Sequence, residues 1–236
     1  LIFFKKGKIN YWISPPYWEC SKAQLIDLKT KKILADKNNS NFDVYTYSPS
    51  IKKKILFKEL KEHITTDPKR PNSKIFYFRN QFRHWDLKWG FSIPYNIFKK
   101  IKKNKRFEVE INSKLNFKKG FYQSDYWKRG RLKKNFGFIS HFDHPSQTND
   151  GLAGVFAAYE TIKRLKNIKT KYSYFSFASI EIVGSVFYLN KMKNFMNNCL
   201  GTINLQFPGI NSKVCFQETM NGNTIIDRVI KNVLNY

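Results

Sequence analysis

Cysteine and acidic residues are scarce in this sequence. Three cysteines, Cys20, Cys199 and Cys215, are odd in number and widely spaced, which excludes a disulfide framework and a paired-cysteine metal knuckle and points to a reducing, cytoplasmic setting. Asp and Glu number 17 against 43 Lys and Arg, giving a formal net charge of +26 over 236 residues. Such an excess is the electrostatic footprint of a polyanion binder. The lysines, however, are spread from Lys5 to Lys231 with no recognition motif, and they travel with abundant Asn, Ile, Phe and Tyr. A solvated surface is therefore the expected reading, and no nucleic-acid-binding residue is assigned. No apolar run reaches the roughly 18–20 residues of a membrane span, and Leu1 to Lys8 is too short for a signal peptide, so no membrane partner is expected. The sequence opens inside an apolar run without a Met and stops at Tyr236 within a helical pattern, so both ends are expected to be cut.

Apolar residues are not scarce: hydrophobic residues make up 42% and aromatics 17%, enough for one large folded α/β domain or a domain with a sizeable insertion. Residues 1–118 read as β-rich. Ile9 to Ile13, Ala23 to Leu28, Asp43 to Tyr47, Lys74 to Phe78 and Arg106 to Ile111 are β-branched or aromatic segments bounded by turn residues. Phe57 to His63 and Tyr95 to Lys102 read as short helices. Residues 119–236 change rhythm, with strand-like runs at 136–140, 172–180 and 201–207 alternating with helical patterns at 151–165, 183–196 and 223–234. That alternation predicts βαβ units and a mainly parallel sheet.

The stretch His141-Phe142-Asp143-His144, followed by Asp150, sets two imidazoles and two carboxylates just past a hydrophobic strand and at the start of a helix, where α/β sheets place their ligand sites. These donor types suit zinc. A blander alternative is open here: Asp150 as a plain helix cap and the histidines as loop residues. Glu181 emerges after the next strand, again at a carboxyl end, where a general base beside a metal-bound water would sit. Trp12, Trp18, Trp85 and Trp89 are expected to pack in the core or at its rim, and His63 and His84 to be structural.

At these residues the chain resembles the bacterial aminopeptidase-like proteins of the co-catalytic zinc exopeptidase superfamily. Their pattern His-x-Cys-His-Pro-Ser-x-x-Asn-Asp-x-x-Ser-Gly is met by His141, Asp143, His144-Pro145-Ser146, Asn149-Asp150 and Ala153-Gly154. Ile180-Glu181-Ile182-Val183-Gly184-Ser185 is similar to their downstream Pro-Glu-x-Ile-Gly-Ser. Trp89-Gly90-Phe91-Ser92, Tyr47-Ser48-Pro49, a strand over 107–115 and the helix start at Gly222-Asn223-Thr224 with Asp227-Arg228 extend the likeness. The resemblance implies a zinc-exopeptidase-like (phosphorylase/hydrolase-like) α/β domain over 119–236, truncated at its C-terminus, preceded by a β-rich accessory domain over 1–118. It implies a metallo-aminopeptidase with one or two zinc ions acting on a peptide amino terminus or a small amide. Asp150 would bridge, His141 or His144 would be a terminal ligand, Asp143 would be a ligand or would fix an imidazole tautomer, and Glu181 would be the general base. Departures are visible: Glu181 is followed by Ile182 rather than a second carboxylate, no Asp lies near Gln206 to Gly209, and a last His ligand would fall beyond Tyr236. Two alternatives follow, a catalytically inactive binding module and a glutaminyl-cyclase-type zinc acyltransferase.

Overall fold

A computed structural model describes residues 1–77, 84–103, 105–145 and 147–234, with the side chains of 194 and 195 left aside. Two compact units emerge, Pro15–Lys119 and a second made of Leu1–Ser14 with Gly120–Tyr236. The sequence expectation grouped 1–14 with the β-rich half. Those residues cluster instead with the α/β half because strand β1 (Ile2–Phe4) hydrogen-bonds a strand 120 residues away in that half. Next comes a hairpin, β2 (Lys8–Ile9) and β3 (Trp12–Ile13), where a single strand was expected over 9–13. Asn10 at φ 53° turns the chain, a conformation that Asn tolerates better than branched residues.

In the Pro15–Lys119 unit the strands are β4 (Tyr17–Asp27), β5 (Ile33–Asp36), β6 (Ile51–Leu56), the short β7 (Ile64–Thr65) and β8 (Phe91–Ser92), and β9 (Arg106–Asn116). The main sheet runs β5-β4-β9-β6, antiparallel throughout. Alternation along β4 and β9 sends Ala23 and Leu25, and Phe107, Val109 and Ile111, to one face, all at 0% exposure. Burying the Leu, Phe, Val and Ile side chains among them contributes about 1.5–3 kcal/mol each, which is what holds the sheet to Phe91, Ile93 and Leu60. Two short helices, α1 (Phe57–Leu60) and α2 (Tyr95–Phe98), fall where helices were expected. Asp43 ends a 3-10 turn and 44–47 follow as loop rather than a strand, and 74–77 form no strand. Phe78, the end of that second segment, lies outside the described residues. Of the tryptophans, Trp89 is buried and stacks on His63 with ring centroids 3.6 Å apart, Trp18 is half-buried, and Trp12 and Trp85 are exposed.

The second unit holds β10 (Phe121–Lys128), β11 (Asn135–His141), α3 (Gly154–Arg164), β12 (Ser173–Ser179), α4 (Val183–Lys191), α5 (Lys193–Met196), β13 (Cys199–Asn204) and α6 (Ile225–Leu234). Strand order is β1-β10-β12-β11-β13. β11 runs parallel to β12 and β13, while β10 runs antiparallel to β12 and to β1, so the sheet is mixed rather than mainly parallel. The expected parallel βαβ pattern is met in its three-strand core. The antiparallel half carries no such signal because β10, Phe-Tyr-Gln-Ser-Asp-Tyr-Trp-Lys, mixes polar and aromatic residues instead of forming an apolar run. β12 is the central strand, with five consecutive buried residues from Phe175 to Ser179, as a strand covered on both faces requires.

Candidate metal centre

β11 ends on His141, whose side chain is 6% exposed. Ser140 secures that end, its hydroxyl lying 3.2 Å from the Gly151 carbonyl and 3.1 Å from the Leu205 carbonyl. The chain then loops back through Thr148–Ala153, a wide irregular turn that precedes α3. Its helical course breaks at Asp150 (φ −99°, ψ 74°) and Gly151. A Cβ on Gly151 would lie 2.0 Å from the His141 carbonyl oxygen, so only glycine lets the turn press against the end of β11. This close approach turns Asp150 back towards the strand end. Its carboxylate makes no cap on the helix; Oδ1 lies 3.0 Å from His141 Nε2 and Oδ2 lies 2.9 Å from His144 Nδ1. The two rings are 4.5 Å apart and tilted by 51°.

Parallel pairing brings the fourth group in. His141 stands level with Ser179 across the β11–β12 ladder, so Asp143 and Glu181, each two residues further on, arrive side by side. Asp143 Oδ1 accepts the Glu181 backbone N–H at 3.0 Å, and Glu181 Oε2 lies 3.1 Å from His144 Nε2. Immediately after, Ile182 adopts φ 58°, ψ −65°, and Val183 N–H donates to the Glu181 carbonyl at 2.6 Å. That is a γ-turn of the rare, strained hand. A branched residue in this conformation costs on the order of 1–3 kcal/mol, and such strain gathers at functional sites.

Exposure rises across the group, from His141 at 6% through Asp150 at 18% and His144 at 24% to Glu181 at 42%. The more buried inner residues thus face an open carboxylate. For His144, burial favours the neutral ring, but hydrogen bonds to Asp150 and Glu181 and the charges of Asp150 and Asp143 outweigh it and raise its pKa above the ordinary histidine value.

One ligand atom each from His141, His144 and Asp150 lies within 4.8 Å of the other two. Zinc bonds to such donors at about 2.0–2.2 Å, which places tetrahedral ligands about 3.4 Å apart. The 3.0 and 2.9 Å separations run to different oxygens of Asp150, so this carboxylate lies within ligand reach of both rings. The donor set, two imidazoles and a carboxylate, therefore fits a divalent cation such as zinc. All five residues singled out in the sequence, His141, Asp143, His144, Asp150 and Glu181, meet here. Ser146 lies outside the described residues. Near Gln206 to Gly209 no carboxylate is present; instead Gly209 N–H donates to Asn149 Oδ1 at 2.7 Å, tying that loop to the turn that carries Asp150. Nothing in the sequence pointed to this tie or to the Ile182 turn, since both depend on the fold.

Residues 17–114 match a family described as a domain of unknown function (DUF2172), and so fall within the Pro15–Lys119 unit. A protein of Clostridium acetobutylicum, provisionally named for polysaccharide biosynthesis with an aminopeptidase-like domain, is 30% identical over 231 residues, 96% of this chain and 51% of that protein. A crystal structure from the same organism, provisionally named a peptidase, matches with a TM-score of 0.85 and 26% identity over 98% of this chain and 54% of that one. A zinc aminopeptidase of Bacillus subtilis matches with a TM-score of 0.58 over 94% of this chain and 66% of that one, a likeness of fold alone at 11% identity. Mixed α/β in architecture, the chain is thus similar over nearly its whole length to about half of an aminopeptidase-like clostridial protein.

Proposed function

We propose that the chain is the site-bearing part of a zinc-dependent aminopeptidase-like hydrolase acting on a peptide amino terminus or a small amide. The observation that carries this is the convergence of His141, His144 and Asp150 on one point, with Glu181 hydrogen-bonded to the same cluster. Three protein donors leave a coordination position for water or substrate, the arrangement of a catalytic rather than a structural zinc. Zinc bound there would polarise the scissile carbonyl and acidify a water.

The chain's own residues have separate tasks. Asp150 faces both imidazoles through its two oxygens, and with zinc bound those oxygens would serve the metal in place of the rings, bridging two ions if two bind. His141, the more buried ring, anchors the inner side. Glu181, the most exposed member, takes the proton of the attacking water and returns it to the leaving amine. Asp143 fixes Glu181 by its backbone and is a positioning residue, not a ligand.

A second reading, a binding module that has lost turnover, draws on the absence of a carboxylate from the Gln206 to Gly209 loop. One pair of measurements separates the two. Purified protein should retain zinc near one equivalent or more by elemental analysis, and Glu181→Gln should abolish hydrolysis of aminoacyl amides while zinc content stays unchanged. Zinc below about a tenth of an equivalent would sink every zinc-enzyme version, since such sites bind tightly. Bound zinc with no turnover by the wild type would favour the binding module.

A further inference from the structure

Behind the candidate metal centre, the amino-terminal ends of β11 and β12 have the opposite character. From Tyr126 to Phe142 the sequence contains no Asp or Glu, and Lys128, Arg129, Arg131, Lys133 and Lys134 crowd a single turn. The turn is pinned. Arg131 N–H donates to the Thr170 carbonyl at 3.0 Å and Leu132 N–H to the Lys171 carbonyl at 2.8 Å. Gly130 N–H donates to the Ser173 hydroxyl at 3.1 Å, and that hydroxyl donates in turn to the Leu132 carbonyl at 3.1 Å. A Cβ on Gly130 would lie 2.1 Å from the Tyr172 carbonyl oxygen, so glycine is what allows the turn to sit this close to the start of β12.

Between the turn and Asn198 opens a cleft of about 290 Å³, lined by Arg129, Arg131, Lys133, Asn135, Ser173 and Asn198 among others. The Arg129 guanidinium rests 4.5 Å from the centre of the Trp127 ring. That contact pre-positions the planar head. Among the described residues, no ion pair to a carboxylate engages Arg129, Arg131 or Lys133. Three uncompensated cations on a rigid concave surface focus their field into the cleft, unlike lysines scattered over a convex face.

We propose that this cleft binds the phosphate or diphosphate group of a small molecule. Guanidinium forks match the oxygens of a phosphate two at a time, and a doubly charged group balances the local excess better than a single carboxylate. An open cleft of this volume suits a headgroup of diphosphate size rather than an extended polymer. Nothing here depends on the metal centre, so the two readings stand or fall separately.

Inorganic pyrophosphate, titrated calorimetrically into the full chain at low and then at physiological ionic strength, is the probe. Saturable one-site binding is expected. Combining Arg131→Ala with Lys133→Ala, both exposed and outside any described ion pair, should weaken binding at least about tenfold, the effect of losing a charge-assisted hydrogen bond. The thermal midpoint should stay that of the wild type. Lys54→Ala with Lys58→Ala, exposed lysines of the other unit, should leave binding unchanged. The proposal is overturned by an absence of saturable binding, by equal losses in the two double variants, or by a duplex oligonucleotide competing better than pyrophosphate for the Arg131 and Lys133 site.

Discussion

Asp143 Oδ1 accepts the backbone N–H of Glu181 at 3.0 Å, joining the ends of two neighbouring parallel strands. The bond fixes where Glu181 leaves β12, just before the strained turn at Ile182. Removing it should loosen the base without touching the donors. Asp143→Ala is expected to lower kcat on an aminoacyl amide by about tenfold or more, as outer partners of a metal site commonly do, with zinc content unchanged. Asp143→Asn keeps an acceptor oxygen and should retain most of the activity. Loss of zinc in the alanine variant would make Asp143 a ligand instead.

Gly151 offers a stability test. Any side chain there meets the His141 backbone at 2.0 Å, and backbone yields less readily than a side-chain tip. Gly151→Ala should cost about 2 kcal/mol or more in denaturant unfolding and should reduce zinc binding. Near-wild-type behaviour in both would show that the turn carrying Asp150 lies elsewhere.

His144 sits between two carboxylates, so its proton and a metal ion compete for the same lone pair. Because its folded-state pKa is raised, its contribution to stability in metal-free protein is complete below about pH 6.5 and is lost as pH climbs through the higher folded value. Zinc affinity should accordingly strengthen over that same rise. A histidine ring titration by NMR on metal-free protein should place the His144 midpoint above that of a free histidine; a midpoint at or below it would remove the argument.

At the start of α6, Asp227 is wholly buried and accepts hydrogen bonds from both the amide and the hydroxyl of Thr219 and of Thr224, at 2.6–2.8 Å. Burial favours the neutral acid, but these four donors outweigh it and hold the pKa well below the usual carboxylate range. Such a group stabilises the fold above the unfolded carboxyl pKa, and that stabilisation fades as pH falls through the folded value. The wild type should lose stability between about pH 5 and pH 2, and Asp227→Asn should flatten that limb while lowering stability at neutral pH. Parallel pH profiles for the two proteins would contradict this.

Much of the candidate site was readable in the sequence because its parts are local. A strand run ending at His141, a helix beginning after Asp150, and a second strand ending before Glu181 are each visible within a few residues. Other features required partners far along the chain. Neither β1 nor β10 announces itself, since a three-residue strand and a polar-aromatic one carry little periodicity; what makes them strands is the ladder each finds in β10 and β12. The segment at 43–47 has strand-like composition, yet Asn41–Asp43 forms a 3-10 turn capped by the Ser40 hydroxyl. Asp150 shows the same limit in reverse. By position it is a helix cap; the pressure of Gly151 on β11 is what turns it towards the histidines.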